Sequence, residues 1–358
     1  MLQMPALLSV ALTALLAQQI PQPEVTFRAE TQLVMLPFHV AQNGTHITTL
    51  KSSDIVLLED GKPRQFTIFD SPETQGRIPL ELVLLFDTNP KIDYFWDPKD
   101  VFRFVRPTTK EGWDDAMSKS ILESNLADIR VSVYHCSGQT LYRMTSATKD
   151  PRQFGNALRR VLARESSQPD SVSIPLYLPT ARSRVGPGPF TGEFVTSNFY
   201  SAESRGWPME GGIGVLNDLA SSEKVSRLFI MFSEGIGATT TIPEDLGNQA
   251  LDLGIPVYPV VTNYQGHITG AWPRNLFRMR EFASLGQMTG GRPVEHETID
   301  AKTLVRILQA VKSDGLTQYV VGFVPESTAG KPKEHKLEIR LPSKSSGALE
   351  GGMRRATY

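Results

Sequence analysis

Cysteine is nearly absent: Cys136 is the only one in 358 residues. An intramolecular disulfide is therefore excluded, and so is a cysteine-rich metal cluster. A small residue in or beside a sheet is the role that suits it, with a free reactive thiol as the alternative. Histidine is scarce, and His39, His46, His135, His267, His296 and His335 are scattered, with no H-E-x-x-H pair. No G-x-S-x-G elbow and no G-x-x-x-x-G-K-[ST] phosphate loop occurs. Charge imbalance is missing too: 37 basic against 38 acidic residues leave −1, no footprint for nucleic acid. Pro5 to Ala17 (PALLSVALTALLA) is apolar but too short for a membrane span. Followed by Gln18-Gln19, it reads as a signal peptide over residues 1–17, so the chain is expected to be exported, periplasmic or extracellular. No cysteine lies there to carry a lipid.

What is present is an ordinary globular composition, 40% hydrophobic and 21% charged, long enough for two domains. The chain is organised around Leu80-Glu-Leu-Val-Leu-Leu-Phe-Asp-Thr-Asn-Pro90. A short apolar run that stops at Asp87 and Asn89-Pro90 predicts a strand buried on both faces, as in the middle of a parallel sheet. In such sheets ligands bind beyond the carboxyl ends of the strands, where Asp87 emerges. Taken alone, the stretch better suits an Asp87 that only caps a turn.

Residues 25–75 read as β structure. Gln32 to Val40 is one strand, with Pro37 at an edge or bulge. Asn43-Gly44 is a turn, preferred over the glycosylation sequon that Asn43-Gly44-Thr45 also matches. Ile55–Glu59 and Gln65–Phe69 predict a hairpin about Asp60-Gly61, which supplies the positive φ angles of a primed turn. Beyond Asp87, residues 91–110 read as an inserted loop with Trp96, followed by a helix over 111–125. Ile129–His135 and Thr140–Met144 form a second hairpin, and Asp150 opens a helix.

Residues 164–212, rich in Ser, Pro and Gly and holding Trp207, read as a long loop. Loops of that length are uncommon inside a domain. Strands over 225–232 and 256–261 then alternate with helices over 245–253, 276–289 and 298–313. Gly290-Gly291 caps the second of these helices. The alternation predicts a mainly parallel, Rossmann-like sheet over residues 79–315 with helices on both faces. Residues 316–358 return to β structure: 318–324 and 335–341 read as a hairpin that packs with 25–75 as one small β domain, since isolated hairpins are marginal in water.

Three features carry a family resemblance: the strand ending in Asp87, Gly211-Gly212-Ile213 before a helix, and Met231-Phe232-Ser233-Glu234-Gly235. Their order resembles a von Willebrand factor A-type domain. FRAETQLVMLPFHV, SSDIVLLEDGKPRQFTIF, TGGRP and SDGLTQYVVGFVP resemble an exported bacterial group described as VWFA-related proteins. The resemblance implies a metal-ion-dependent adhesion site in which a D-x-S-x-S motif, a Thr and an Asp bind Mg²⁺ and a partner carboxylate completes the shell. The corresponding positions here are Asp87, Asn89, Lys91, Ile213 and Glu234. Mg²⁺ takes six hard oxygens, and Lys91 and Ile213 offer none, so the site is expected to be degenerate.

The reading is therefore a non-catalytic exported binding or adhesion module, with no cofactor. It binds a protein or cell-envelope surface through Asp87, Asn89, Lys91, Ile213 and Glu234, rimmed by Trp96 and Trp207. Two alternatives stand beside it. One is a residual Mg²⁺ site on Asp87, Asn89 and Glu234; the other is a hydrolase whose site assembles only in three dimensions.

Overall fold

The computed structural model describes residues 33–75, 79–87, 129–137, 140–162, 172–175, 208–220, 225–233, 243–262, 273–296, 301–325, 333–342 and 347–358. Expectations for the signal peptide, for residues 91–110 and 111–125, and for most of 164–212 lie outside them. The described residues belong to one compact unit, Leu33–Tyr358.

The central run is strand β6 (Leu80–Asp87), after five strands of the N-terminal segment: β1 (Val34–Gln42), β2 (Thr45–His46), β3 (Val56–Glu59), β4 (Lys62–Arg64) and β5 (Ile68–Asp70). Leu82 to Phe86 are all buried, on alternating faces. At about 1.5–3 kcal/mol for each large apolar side chain, this strand alone anchors two cores. Then come β7 (Arg130–Ser137), β8 (Thr140–Thr148), helix α1 (Pro151–Leu162), β9 (Val172–Pro175), α2 (Pro208–Ala220), β10 (Ser226–Ser233), α3 (Pro243–Asp252), β11 (Val257–Thr262), α4 (Pro273–Thr289), β12 (Val294–His296) and α5 (Ala301–Gly315). Asp150 caps α1: its Oδ1 accepts from the Arg152 N–H at 2.9 Å, and Pro151 follows at the first helical position.

The sheet runs β12-β11-β10-β6-β7-β8-β9. Its first five strands are parallel; β8 runs against both β7 and β9. Leu82, Leu84 and Phe86 pack with α1 and α5 on one face, while Val83 and Leu85 pack with α2, α3 and α4 on the other. Strand order reverses between β6 and β10, the position at which doubly wound sheets open a crevice.

Three expectations need correction. The 164–212 stretch is not loop throughout: β9 and the first turns of α2 fall inside it, and Gly211-Gly212 lies within the helix rather than before it. The strand returning from Asp60-Gly61 is β4, with φ of 49° and 79° at the turn, whereas residues 68–70 leave to pair elsewhere. The C-terminal hairpin does not form. Strand β13 (Tyr319–Phe323) joins the order β15-β1-β13-β5, and β14 (Glu334–Arg340) joins β16-β14-β3-β4, with β15 at Ala348–Gly351 and β16 at Met353–Thr357. Each run finds a better partner in the N-terminal segment, so Phe38, Leu57, Tyr319, Leu337 and Ile339 close a third apolar cluster between the two sheets.

Candidate functional site

Parallel pairing sets Asp87 beside Cys136 of β7, and Phe86 beside Phe232 of β10. One residue further on, Ser233 reaches across: its Oγ donates to Asp87 Oδ2 at 2.8 Å. Asp87 is half-buried and Ser233 is buried. The carboxylate at the switch point is thus held by a neighbouring strand end. Ser233 was not singled out from sequence; the register of two parallel strands was the missing signal.

Helix α2 closes one side. Gly211 lies so near the sheet that a Cβ there would stand 3.1 Å from Cys136 Sγ and 3.5 Å from Leu85 Cδ2. That approach brings the first turn of α2 to the carboxyl ends of β6 and β7. Pro208 starts the helix, and Glu210, buried in its first turn, suits the positive end of the helix dipole. Further along, Asp218 accepts from Tyr134 Oη at 2.8 Å and from Arg143 Nη1 at 2.8 Å, pinning α2 to β7 and β8. Burial holds the Tyr134 hydroxyl well above its usual range, so it stays a donor.

Of the residues singled out from sequence, Asp87 and Ile213 are described, and both belong to this end of the sheet. Ile213 is half-buried and packs against the Val83–Leu85 core face, a hydrocarbon contact with no oxygen to offer a cation. Asn89, Lys91, Glu234, Trp96 and Trp207 lie outside the described residues. Side-chain alternation places His135 on the opposite face of the sheet from Asp87 and Cys136.

A second polar constellation went unnoticed in the sequence. His39 and His46 of β1 and β2 meet Asp314 at the end of α5, with Nε2–Oδ2 at 3.4 Å and Nε2–Oδ1 at 3.9 Å. Arg292 reaches the same carboxylate, Nε to Oδ1 at 2.9 Å, and also Glu350 Oε2 at 2.8 Å. Tyr258 Oη donates to Asp314 Oδ2 at 2.9 Å. These residues span 311 positions of chain between His39 and Glu350, which no local motif reveals.

No protein-family model matches the sequence, and no curated protein matches it. Solved structures similar to it include BatB from Bacteroides thetaiotaomicron, 13% identical, TM-score 0.36, covering 66% of this chain and 98% of that one. Another is the ArnB paralog VWA2 from Sulfolobus acidocaldarius, 11% identical, TM-score 0.33, covering 91% and 75%. Proximal thread matrix protein 1 from the mussel byssus, with a zinc-occupied MIDAS motif, is 10% identical, TM-score 0.34, covering 68% of this chain and 46% of that one. Scores this low carry no argument; what stands by itself is a doubly wound α/β sheet with Asp87 at its switch point.

Proposed function

We propose that the chain is an exported, non-catalytic binding module of the von Willebrand factor A type, which docks a protein or envelope surface at the Asp87 end of its sheet without a metal ion. The terminal strands form its second, smaller β domain. The observation that carries the reading is the Asp87–Ser233 contact at the strand-order reversal, beside a half-buried Ile213 that packs against the core face. The donor set does not suit Mg²⁺, because a hard cation requires about six oxygens in near-octahedral geometry and Ile213 supplies none. A carboxylate held by a serine, in a crevice beside a helix N-terminus, suits a cationic or hydrogen-bonding group of a partner.

Two measurements test this. Asp87→Ala should abolish retention of the envelope partner that the natural chain captures, while leaving the thermal midpoint within a few degrees; undiminished capture places the interface elsewhere. Millimolar Mg²⁺, compared with EDTA, should leave the unfolding midpoint unchanged. A resident ion at a hundred times its dissociation constant adds about 2.7 kcal/mol, so a clear rise would instead favour the residual-metal reading.

A further inference from the structure

We propose that His39, His46 and Asp314 form a second site, for a borderline divalent transition metal of the zinc type, at the seam between the terminal β strands and the α/β sheet. Three ligand atoms converge there, one from each residue, all within 4.8 Å of one another. A tetrahedral ion with bonds of about 2.0–2.1 Å needs ligand atoms about 3.3–3.4 Å apart. His39 Nε2 is 3.4 Å from Asp314 Oδ2 and His46 Nε2 3.9 Å from Asp314 Oδ1, and all three ligand atoms lie within 4.8 Å, so closure on one oxygen draws the side chains in by up to about an ångström. Two imidazoles and a carboxylate select zinc-like ions over Mg²⁺ or Ca²⁺, which prefer all-oxygen shells.

The outer contacts already orient two of the three ligands. A guanidinium can only donate, so His46 Nε2 accepts from Arg292 and its proton resides on Nδ1, facing Thr317 Oγ1. Thr317 Oγ1 in turn donates to the Asp314 carbonyl at 2.8 Å. That is the tautomer a metal-bound histidine needs, with its far nitrogen anchored on oxygen. Tyr258 does the same for Asp314.

His39, 2% exposed, points Nε2 at the Gly290 carbonyl, 3.1 Å away, while its Nδ1 has no described partner. To ligate through Nε2, His39 moves that proton to Nδ1, and Gly290 keeps a donor in Gln318 Nε2 at 2.7 Å.

Arg292 is the competitor. It is the cation that occupies this carboxylate when no metal is bound, and its side chain is 41% exposed. It already holds Glu350, itself 45% exposed, so the guanidinium can withdraw toward that carboxylate as the ion enters. Metal binding thus exchanges one cation for another, which weakens affinity in the natural chain and makes Arg292 the residue to remove.

The test uses the full chain, stripped with EDTA and titrated with Zn²⁺ alone by calorimetry, with the thermal midpoint as second readout. One ion per chain is expected, with a rise in midpoint. Arg292→Ala should tighten binding at least tenfold, and His46→Gln should weaken it at least tenfold. His335→Gln, which removes a histidine beside Glu59 and Asp60 on the far sheet, should change nothing. Should His46→Gln fail to fold, Arg292→Ala decides, since it deletes no ligand. Co²⁺ in that variant should give the intense visible bands of a four-coordinate site. Absence of Zn²⁺ binding in both the natural chain and Arg292→Ala overturns the proposal. So does binding that Arg292→Ala leaves unchanged, or that His335→Gln abolishes.

Discussion

At the scale of single residues, the most demanding position on β6 is Glu81, 3% exposed at the opposite end of the strand from Asp87. It accepts from Ser132 Oγ and, at 3.1 Å, from Arg227 Nε, so two neighbouring strands satisfy it. Removing one charge of such a buried pair typically costs about 3–5 kcal/mol, because the other stays desolvated. Glu81→Leu should therefore lose about that much in urea unfolding. Glu81→Leu with Arg227→Met should recover most of it, and an equally unstable double variant would mean that packing, not charge, is responsible. The sequence showed a glutamate among leucines and no reason for it. Its partner is 146 residues away, and only the β6–β10 register brings them together.

At the scale of elements, close approach explains glycines that local turn chemistry does not. The Gly290-Gly291 pair read from sequence as a helix cap, and Gly290, with φ of +82°, agrees. Gly291 has a different reason: a Cβ there would stand 2.0 Å from the Val257 carbonyl oxygen of β11. Backbone cannot yield as a side-chain tip can. Gly291→Ala should destabilise by about 3 kcal/mol or more, through displacement of α4 from the sheet. A loss below 1 kcal/mol in chemical denaturation would show that the crossing relaxes freely. The β3–β4 turn was legible for the converse reason, since Asp60-Gly61 states its own conformation locally. The β13–β14 hairpin was misread because adjacency in sequence was taken for pairing in space.

At the scale of the whole molecule, the seam between the terminal strands and the α/β sheet is polar and sensitive to pH. His39 lies in it, its pKa lowered from 6.5 chiefly by burial, against the opposing pull of Asp314. The unfolded chain then binds this proton more readily than the folded one, so stability rises with pH wherever they differ. The contribution is full above the unfolded value and lost as pH falls through 6.5 and below. His46, Arg292, Asp314 and Glu350 face the same seam and set the background. The thermal midpoint should drop from about pH 7 to pH 5, and His39→Gln should flatten the drop. An unchanged slope in that variant would assign the acid sensitivity to other groups. Arg354, paired with Asp252 at 2.6 Å and donating to the Met35 carbonyl at 3.2 Å, ties the same two parts together.

Sequence alone determined the secondary pattern of the core and the end of the strand that matters. Periodicity, strand-length apolar runs and terminators such as Asp87 act within a dozen residues, and so they are written locally. Tertiary structure decided what stands beside them. Strand order put Ser233 against Asp87, and set a half-buried Ile213 against the core face under α2, α3 and α4. It also divided β13 and β14 between two sheets, and gathered His39, His46 and Asp314 from opposite ends of the chain. The physical reason is the same throughout: local preferences choose the elements, but burial of their faces chooses the partners, and burial depends on the whole chain at once.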